Sequence, residues 1–88
     1  MADSPARGYY VYMLRGSDNS LYTGWTVDIE KRLKKHNMGT ASKYTAARRP
    51  LTLALLLECE DKKAAMQLEA RIKTLSKEEK ETLIRDKK

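Results

Sequence analysis

The chain has 88 residues, a formal net charge of +6 and one cysteine, so it has room for one small domain but not for separate catalytic and recognition modules. The single cysteine excludes a disulfide framework and a zinc site built from paired cysteines. The longest apolar run, at residues 51–57, is far shorter than the roughly 20 residues that span a bilayer, which predicts a cytoplasmic protein without a membrane partner.

The first predicted element is a β-hairpin over residues 9–25. YYVYMLR and LYTGW are aromatic and β-branched, and GSDNS between them has the composition of a turn. A five-residue turn pairs Tyr12 with Gly24, where the absent side chain leaves room for a phosphate, and puts Tyr22 and Tyr10 on the same sheet face. The side chains on the other face of the sheet are then expected to lie in a core: Tyr9, Val11, Met13, Leu21 and Trp25.

A helix with basic side chains follows the hairpin. Thr26 or Asp28 can cap its start, it runs to about Asn37, and Gly39 lies beyond its end. In residues 40–50 apolar side chains do not recur at a regular spacing over any length, and the segment ends in a proline. This favours an exposed basic loop with room for one helical turn.

The rest of the sequence predicts a strand and two helices. LTLALLLEC at 51–59 is a continuous apolar run, which indicates a strand covered on both faces, and a helix is the less favoured alternative. Residues 61–75 repeat apolar side chains at helical spacing. Ser76 and Glu79 form a capping box, so a last helix runs to about Asp86, with few apolar residues to anchor it.

These elements predict an α/β domain of the α+β type. A three-stranded antiparallel sheet with the first strand in its centre is flanked by helices. We expect a single domain over residues 1–88, a flexible N-terminus at residues 1–7, and a monomer.

Positive charge is concentrated in the middle of the sequence. Residues 26–50 carry seven basic side chains against two acidic ones, whereas the flanking segments are nearly balanced. A basic stretch on an otherwise balanced domain favours a polyanionic partner, most often nucleic acid, and an ordinary solvated surface is the alternative.

The hairpin and the helix after it resemble a known family. YVY at 10–12, YTG at 22–24 and DIEKRL at 28–33 are similar to the signature of the GIY-YIG nucleases. Within that family the chain resembles the short stand-alone members of the YhbQ/YazA type, which have patterns like KYT at 43–45 and RRP at 48–50. The resemblance covers nearly the whole chain and implies the GIY-YIG fold.

The resemblance also implies roles for individual residues. The family's catalytic positions fall on Tyr12, Tyr22, Arg32 and His36, its motif glycine on Gly24, and its metal-binding glutamate on Glu69, which would hold one divalent ion, Mg²⁺ or Mn²⁺. Tyr12 is then the candidate general base. Because a free tyrosine has a pKa of ~10, nearby positive charge must lower that pKa or His36 must share the proton transfer. Residues 77–88 contain no counterpart of an asparagine found near the end of many family members.

The implied function is a metal-dependent endonuclease that hydrolyses DNA, rather than RNA, with low sequence specificity. The alternatives are a nucleic-acid-binding module of the same fold with little or no turnover, and a protein-interaction domain. In the first two cases the basic stretch is expected to contact nucleic acid through Lys35, Lys43, Tyr44, Arg48 and Arg49.

Three of the matched residues also have simpler interpretations. Arg32 could form a surface ion pair with Asp28, and His36 could be a charge at the end of its helix. Glu69 lies at the rim of an apolar helix face, where a carboxylate needs a partner, either a metal ion or a basic side chain such as Arg32.

Overall fold

The computed structural model describes residues 8–87, so the predicted flexible segment at residues 1–7 lies outside the described residues. The elements are β1 (Tyr9–Arg15), β2 (Leu21–Thr26), α1 (Ile29–Asn37), α2 (Lys43–Ala46), β3 (Thr52–Cys59), α3 (Lys62–Lys73) and α4 (Lys77–Lys87). Both β2 and β3 pair antiparallel with β1, in the order β2-β1-β3. The predicted α+β class and the central position of the first strand are therefore confirmed.

The hairpin has the predicted register. Tyr12 pairs with Gly24 and Arg15 pairs with Leu21, which leaves a turn over residues 16–20. In this turn Asn19 has a φ of 70°, a left-handed conformation that asparagine tolerates better than most residues. Because side chains alternate along a strand, this register puts the side chains of Tyr12 and Tyr22 on one sheet face.

The sheet separates two apolar clusters. The cluster beside α3 and α4 is built on Val11, Met13, Leu21 and Leu55, with Tyr9 and Trp25 packed against it, as the alternation predicts. The cluster beside α1 consists of Tyr12, Leu14 and Leu51, with Tyr22, Ile29, Leu33 and Leu56 packed against it. β3 contributes to both, but Leu53 on this edge strand is 41% exposed, so the cover predicted for both faces is incomplete.

Polar side chains fix the helix starts. Asp28 rather than Thr26 caps α1, where its carboxylate accepts a hydrogen bond from Lys31 N–H, and Asp61 caps α3 in the same way. The capping box of α4 is confirmed, because Ser76 and Glu79 each accept a hydrogen bond from the other's backbone N–H. The basic loop contains the one-turn helix α2.

An ion pair anchors α4 more firmly than its few apolar residues suggest. Arg15 at the end of β1 donates two hydrogen bonds to the Glu81 carboxylate, at 2.7 and 2.8 Å. Lys77 donates to the same carboxylate at 2.7 Å. Sequence spacing did not reveal this pair, because its partners are 66 positions apart. Among the helices within residues 8–87, none is long and apolar enough to cross a membrane.

Candidate active site

A cavity of about 510 Å³ brings together residues from four elements. The strands β1 and β2 contribute Tyr12, Tyr22 and Gly24, α1 contributes Arg32, and α3 contributes Glu69. These are five of the six positions matched by the resemblance. The sixth, His36, does not line the cavity and lies behind Tyr12, to which it is hydrogen-bonded.

The Tyr12 side chain lies directly across Gly24. A Cβ atom added at Gly24 would be 2.6 Å from the Tyr12 hydroxyl oxygen and 2.8 Å from Cζ of the same ring. Any side chain at this position would therefore displace the tyrosine. The Tyr12 hydroxyl takes up the space left by the absent Cβ, while Gly24 itself lines the cavity.

Burial keeps the Tyr12 phenol protonated. Only 1% of the residue is exposed, and desolvation, with a smaller contribution from Tyr22, raises its pKa to about 12. The positive charge of Arg32 acts in the opposite direction, as the sequence suggested, but it does not outweigh burial. At neutral pH Tyr12 is a neutral hydroxyl, so a base must take its proton before the oxygen can act as a phenolate.

His36 is placed to be that base. Its Nε2 atom lies 3.0 Å from the Tyr12 hydroxyl, and its Nδ1 atom lies 2.8 Å from Oγ1 of Thr45. Burial, followed by the charge of Arg32, lowers the pKa of His36, which favours the neutral imidazole. Because His36 is only 1% exposed, the interpretation as a surface charge at the end of α1 is wrong.

Tyr22 connects the cavity to the basic stretch at residues 26–50 through contacts between aromatic rings, edge-on with His36 and tilted with Tyr44. Its ring centroid is 5.1 Å from that of His36 and 6.0 Å from that of Tyr44. The Arg48 guanidinium lies over Tyr44, at 3.7 Å from the ring centroid, and its Nε atom is 3.2 Å from the Asp18 carboxylate. Tyr44 and Arg48 are thus next to the site, but Arg48 is already engaged within the molecule.

The other predicted nucleic-acid contacts lie on α1, on α2 and just after α2. Lys35 and Lys43 are exposed. Arg49 is exposed as well, and its Nε atom donates a hydrogen bond to the Ala46 carbonyl oxygen at 2.9 Å. These side chains belong to the part of the chain that packs on the Tyr12 face of the sheet.

Arg32 is exposed and lines the cavity. Within residues 8–87 it forms no ion pair with Asp28, whose carboxylate instead caps α1. The guanidinium is therefore accessible to an anion in the cavity, and it carries five donors that match phosphate oxygens.

Glu69 has a basic partner, but that partner is Lys73 rather than Arg32. The Lys73 ammonium lies 3.3 Å from the carboxylate, one helical turn further along α3. The Glu69 side chain is 21% exposed and remains accessible from the cavity. The sequence suggested Arg32 as the basic alternative because it could not show how α1 and α3 are placed.

The structure adds residues that the motif pattern did not indicate. Thr45 and Ser42 hold the far side of the His36 ring, while Val27 and Lys62 line the cavity. A serine three residues before a threonine, as at Ser42 and Thr45, is typical of a helix start. This spacing was the only sign in the sequence that the two residues are in contact. Contacts between Thr45 and His36 depend on the packing of α2 against α1, which periodicity does not reveal.

Comparisons with known proteins agree with this geometry. The family model of the GIY-YIG catalytic domain matches residues 8–82. A UPF0213 protein from Bacillus velezensis is 48% identical over 80 residues, which cover 91% of this chain and 81% of that protein. A UPF0213 protein from Natronomonas pharaonis is 43% identical over 81 residues, 92% of this chain and 95% of that one.

Two solved structures are similar as well. The solution NMR structure of a UPF0213 protein from Bacillus halodurans has a TM-score of 0.57 and 42% identity, and covers 88% of this chain and 82% of its own. The NMR structure of a protein from E. faecalis has a TM-score of 0.64 and 35% identity, with 98% and 90% coverage. The GIY-YIG domain implies a nuclease family with a nucleic acid substrate, and its nucleases generally use a divalent metal ion. The chain therefore belongs to the GIY-YIG catalytic domain family.

Proposed function

We propose that the protein is an endonuclease that hydrolyses phosphodiester bonds of DNA with the help of one divalent ion, Mg²⁺ or Mn²⁺. The observation that carries the proposal is the meeting of Tyr12, Arg32 and Glu69 at one cavity, although they come from three different elements. In this proposal the protein works as a monomer in the cytoplasm. Its sequence specificity is low, because the basic side chains next to the cavity suit the phosphate backbone, which carries no sequence information.

Arg32 binds the phosphate to be cut. Its guanidinium is exposed at the cavity and can donate two hydrogen bonds to two phosphate oxygens, where negative charge increases in the transition state. Tyr22, also at the cavity, orients the phosphate or the attacking water with its hydroxyl. Lysine would be a poorer substitute for Arg32, since its ammonium does not present two donors in a fixed plane.

Tyr12 and His36 take the proton of the attacking water. As a water oxygen forms its bond to phosphorus, one water O–H bond breaks and its proton passes to the Tyr12 oxygen. The Tyr12 O–H bond breaks in the same step, and its proton passes to His36 Nε2, which lies 3.0 Å from the Tyr12 oxygen. The bond from phosphorus to the leaving oxygen then breaks. This route accommodates the raised pKa of Tyr12, because no free phenolate has to exist beforehand.

Glu69 fits a metal ion that takes few ligands from the protein. Within residues 8–87 no group of three or more histidine, cysteine, aspartate or glutamate side chains could form a closed metal site. A single carboxylate at an open cavity suits Mg²⁺ or Mn²⁺, which retain several waters and also take phosphate oxygens. An ion bound at Glu69 would stabilise the charge on the leaving oxygen. Lys73 must then share or release the carboxylate.

The proposal is tested by incubating plasmid DNA and single-stranded DNA with the protein in Mg²⁺ or Mn²⁺. We expect wild type to cut in the presence of the ion, and Glu69→Gln to cut at least about 100-fold more slowly. Glu78→Gln is the matched control, because Glu78 is exposed on α4 and does not line the cavity. It should cut like wild type. Wild type that cuts no better than Glu69→Gln contradicts the proposal.

The same samples distinguish the alternative of a binding module. Binding of DNA by wild type and by Glu69→Gln with equal affinity, with no cleavage by either, would support a module without turnover. A parallel incubation with RNA of matching sequence tests the choice of substrate. Faster cleavage of RNA than of DNA would contradict the proposed substrate.

A further inference from the structure

A buried polar group extends from the cavity to α2. Tyr12 and His36 are each 1% exposed, and Thr45 is fully buried. The imidazole lies between the two hydroxyls, with Nε2 at 3.0 Å from Tyr12 and Nδ1 at 2.8 Å from Thr45 Oγ1. Of these three residues only Tyr12 lines the cavity. The Thr45 hydroxyl is therefore connected to the cavity through His36 and Tyr12.

The contacts of Thr45 favour one direction for these hydrogen bonds. Its hydroxyl carries one proton, and the Ser42 carbonyl oxygen at 3.3 Å can only accept it. The Ser42 hydroxyl lies 3.0 Å from Thr45 Oγ1 and accepts a hydrogen bond from Thr45 N–H, and its own proton can be donated to Thr45. Thr45 Oγ1 thus donates to a carbonyl and accepts from its remaining neighbours. One of these neighbours is His36 Nδ1.

We propose that Thr45 is a positioning residue that keeps the proton of neutral His36 on Nδ1, so that Nε2 is left with its lone pair towards Tyr12. The inference rests on the proposed function, in which His36 accepts the Tyr12 proton. With the proton on Nε2 instead, the imidazole would donate to the Tyr12 oxygen and could not accept from it. The position of one proton, on the side of the imidazole that faces away from Tyr12, thus decides whether the transfer can occur.

The short helix α2 holds the Thr45 hydroxyl in place. Ser42 caps α2 by accepting from Thr45 N–H at 3.1 Å, so the same serine fixes both the backbone and the hydroxyl of Thr45. A valine at position 45 would have the same branched shape but no hydroxyl. A serine would keep the hydroxyl and lose only a methyl group. The two variants therefore separate hydrogen bonding from packing.

The test measures the tautomer of His36 directly. Long-range ¹H–¹⁵N correlation spectra of protein with ¹⁵N-labelled histidine show which ring nitrogen carries the proton. His36 is the only histidine, so the assignment is unambiguous. We expect a proton on Nδ1 in wild type and in Thr45→Ser, and on Nε2 in Thr45→Val. A proton on Nε2 in wild type, or an unchanged tautomer in Thr45→Val, overturns the inference. If the valine variant does not fold, Thr45→Ala replaces it with the same expectation.

Cleavage kinetics complete the test. We expect kcat to fall about 10- to 100-fold in Thr45→Val, with KM unchanged because Thr45 does not line the cavity, and to recover in Thr45→Ser. A loss confined to KM, or a serine variant as slow as the valine variant, contradicts the inference. Wild type that fails to cut nucleic acid refutes the proposed function, whereas the spectra decide independently whether Thr45 fixes the tautomer.

Discussion

Among the contacts of individual residues, the site depends most on the close approach of Tyr12 to Gly24. The tyrosine hydroxyl occupies the space in which any other residue at position 24 would place its Cβ. The same hydroxyl is hydrogen-bonded to His36 on its other side. A shift of the ring would therefore change both the cavity and the path of the proton.

A double-mutant cycle between these two positions tests this contact. Gly24→Ala should destabilise the protein by about 1–3 kcal/mol, because the tyrosine must move to admit the methyl group. Tyr12→Phe removes the atom that is closest to the new Cβ. We therefore expect Tyr12→Phe to cost less stability in the alanine background than in wild type, by about 1 kcal/mol in urea unfolding. Two costs that simply add would show that the contact is absent.

The sequence was informative for residues in local motifs and uninformative for their partners across the fold. The resemblance to the GIY-YIG signature pointed to Tyr12, Tyr22, Gly24, Arg32 and Glu69, and the structure brings them to one cavity. The same motifs did not indicate that Lys73 is the partner of Glu69 or that Thr45 is bound to His36. The contact between Thr45 and His36 depends on the packing of α2 against α1, which has no one-dimensional pattern, whereas Glu69 and Lys73 are four residues apart on α3, a spacing that the sequence does show.

Local patterns were sufficient for most of the elements. The length of the GSDNS turn predicted the hairpin register, because a five-residue turn pairs Tyr12 with Gly24 and puts Tyr12 and Tyr22 on one face of the sheet. Capping residues predicted where α1 and α4 begin, and the helical spacing of apolar residues predicted α3. The prediction was weakest for α4, whose attachment through Arg15 and Glu81 requires the two ends of the chain to be close.

The attachment of α4 to β1 through Glu81 and Arg15 should depend on pH. Hydrogen bonds from Arg15 and then Lys77 lower the pKa of Glu81 to about 2, from an ordinary value of 4.5. The folded state thus favours the carboxylate, so this contribution to stability is complete above pH 4.5 and is lost as the pH falls towards 2. Since the two side chains are 28% and 30% exposed, solvent screening limits the contribution to on the order of 1–2 kcal/mol.

Urea unfolding between pH 6 and pH 2 measures this effect. Wild type should be more stable than Glu81→Gln near neutral pH, and the difference should disappear as the pH approaches 2. Glu78→Gln is the control, because Glu78 lies on the same helix and is exposed. A difference between wild type and Glu81→Gln that stays constant with pH would contradict the role of this ion pair.

For the molecule as a whole, the net charge of +6 is less informative than its distribution. The basic residues of α1 and α2 belong to the side of the sheet that carries Tyr12 and Tyr22. Electrostatic attraction would bring a phosphate backbone towards that side and hence towards the cavity. Some of these charges are already compensated, since Arg48 lies close to Asp18.

Because Lys43 is exposed and Arg48 is paired with Asp18, substitutions at these two positions should have unequal effects on DNA binding. Lys43→Ala should weaken binding and reduce the slope of log K against log salt by about one, because an exposed lysine releases a counterion when it binds phosphate. Arg48→Ala should reduce the slope less, since its charge is shared with Asp18. Lys87→Ala on α4 should leave the slope unchanged. Equal slopes for all three variants would contradict a binding surface centred on α1 and α2.

The central claim is that Tyr12 on β1 and Glu69 on α3 serve one reaction at one cavity. The most direct measurement is the kcat/KM for DNA cleavage by wild type, Tyr12→Phe, Glu69→Gln and the double variant. Residues that act as a unit have strongly non-additive effects, so we predict that each single variant is almost as slow as the double variant. Losses that multiply, so that the double variant is slower by the product of the two single effects, would contradict the claim.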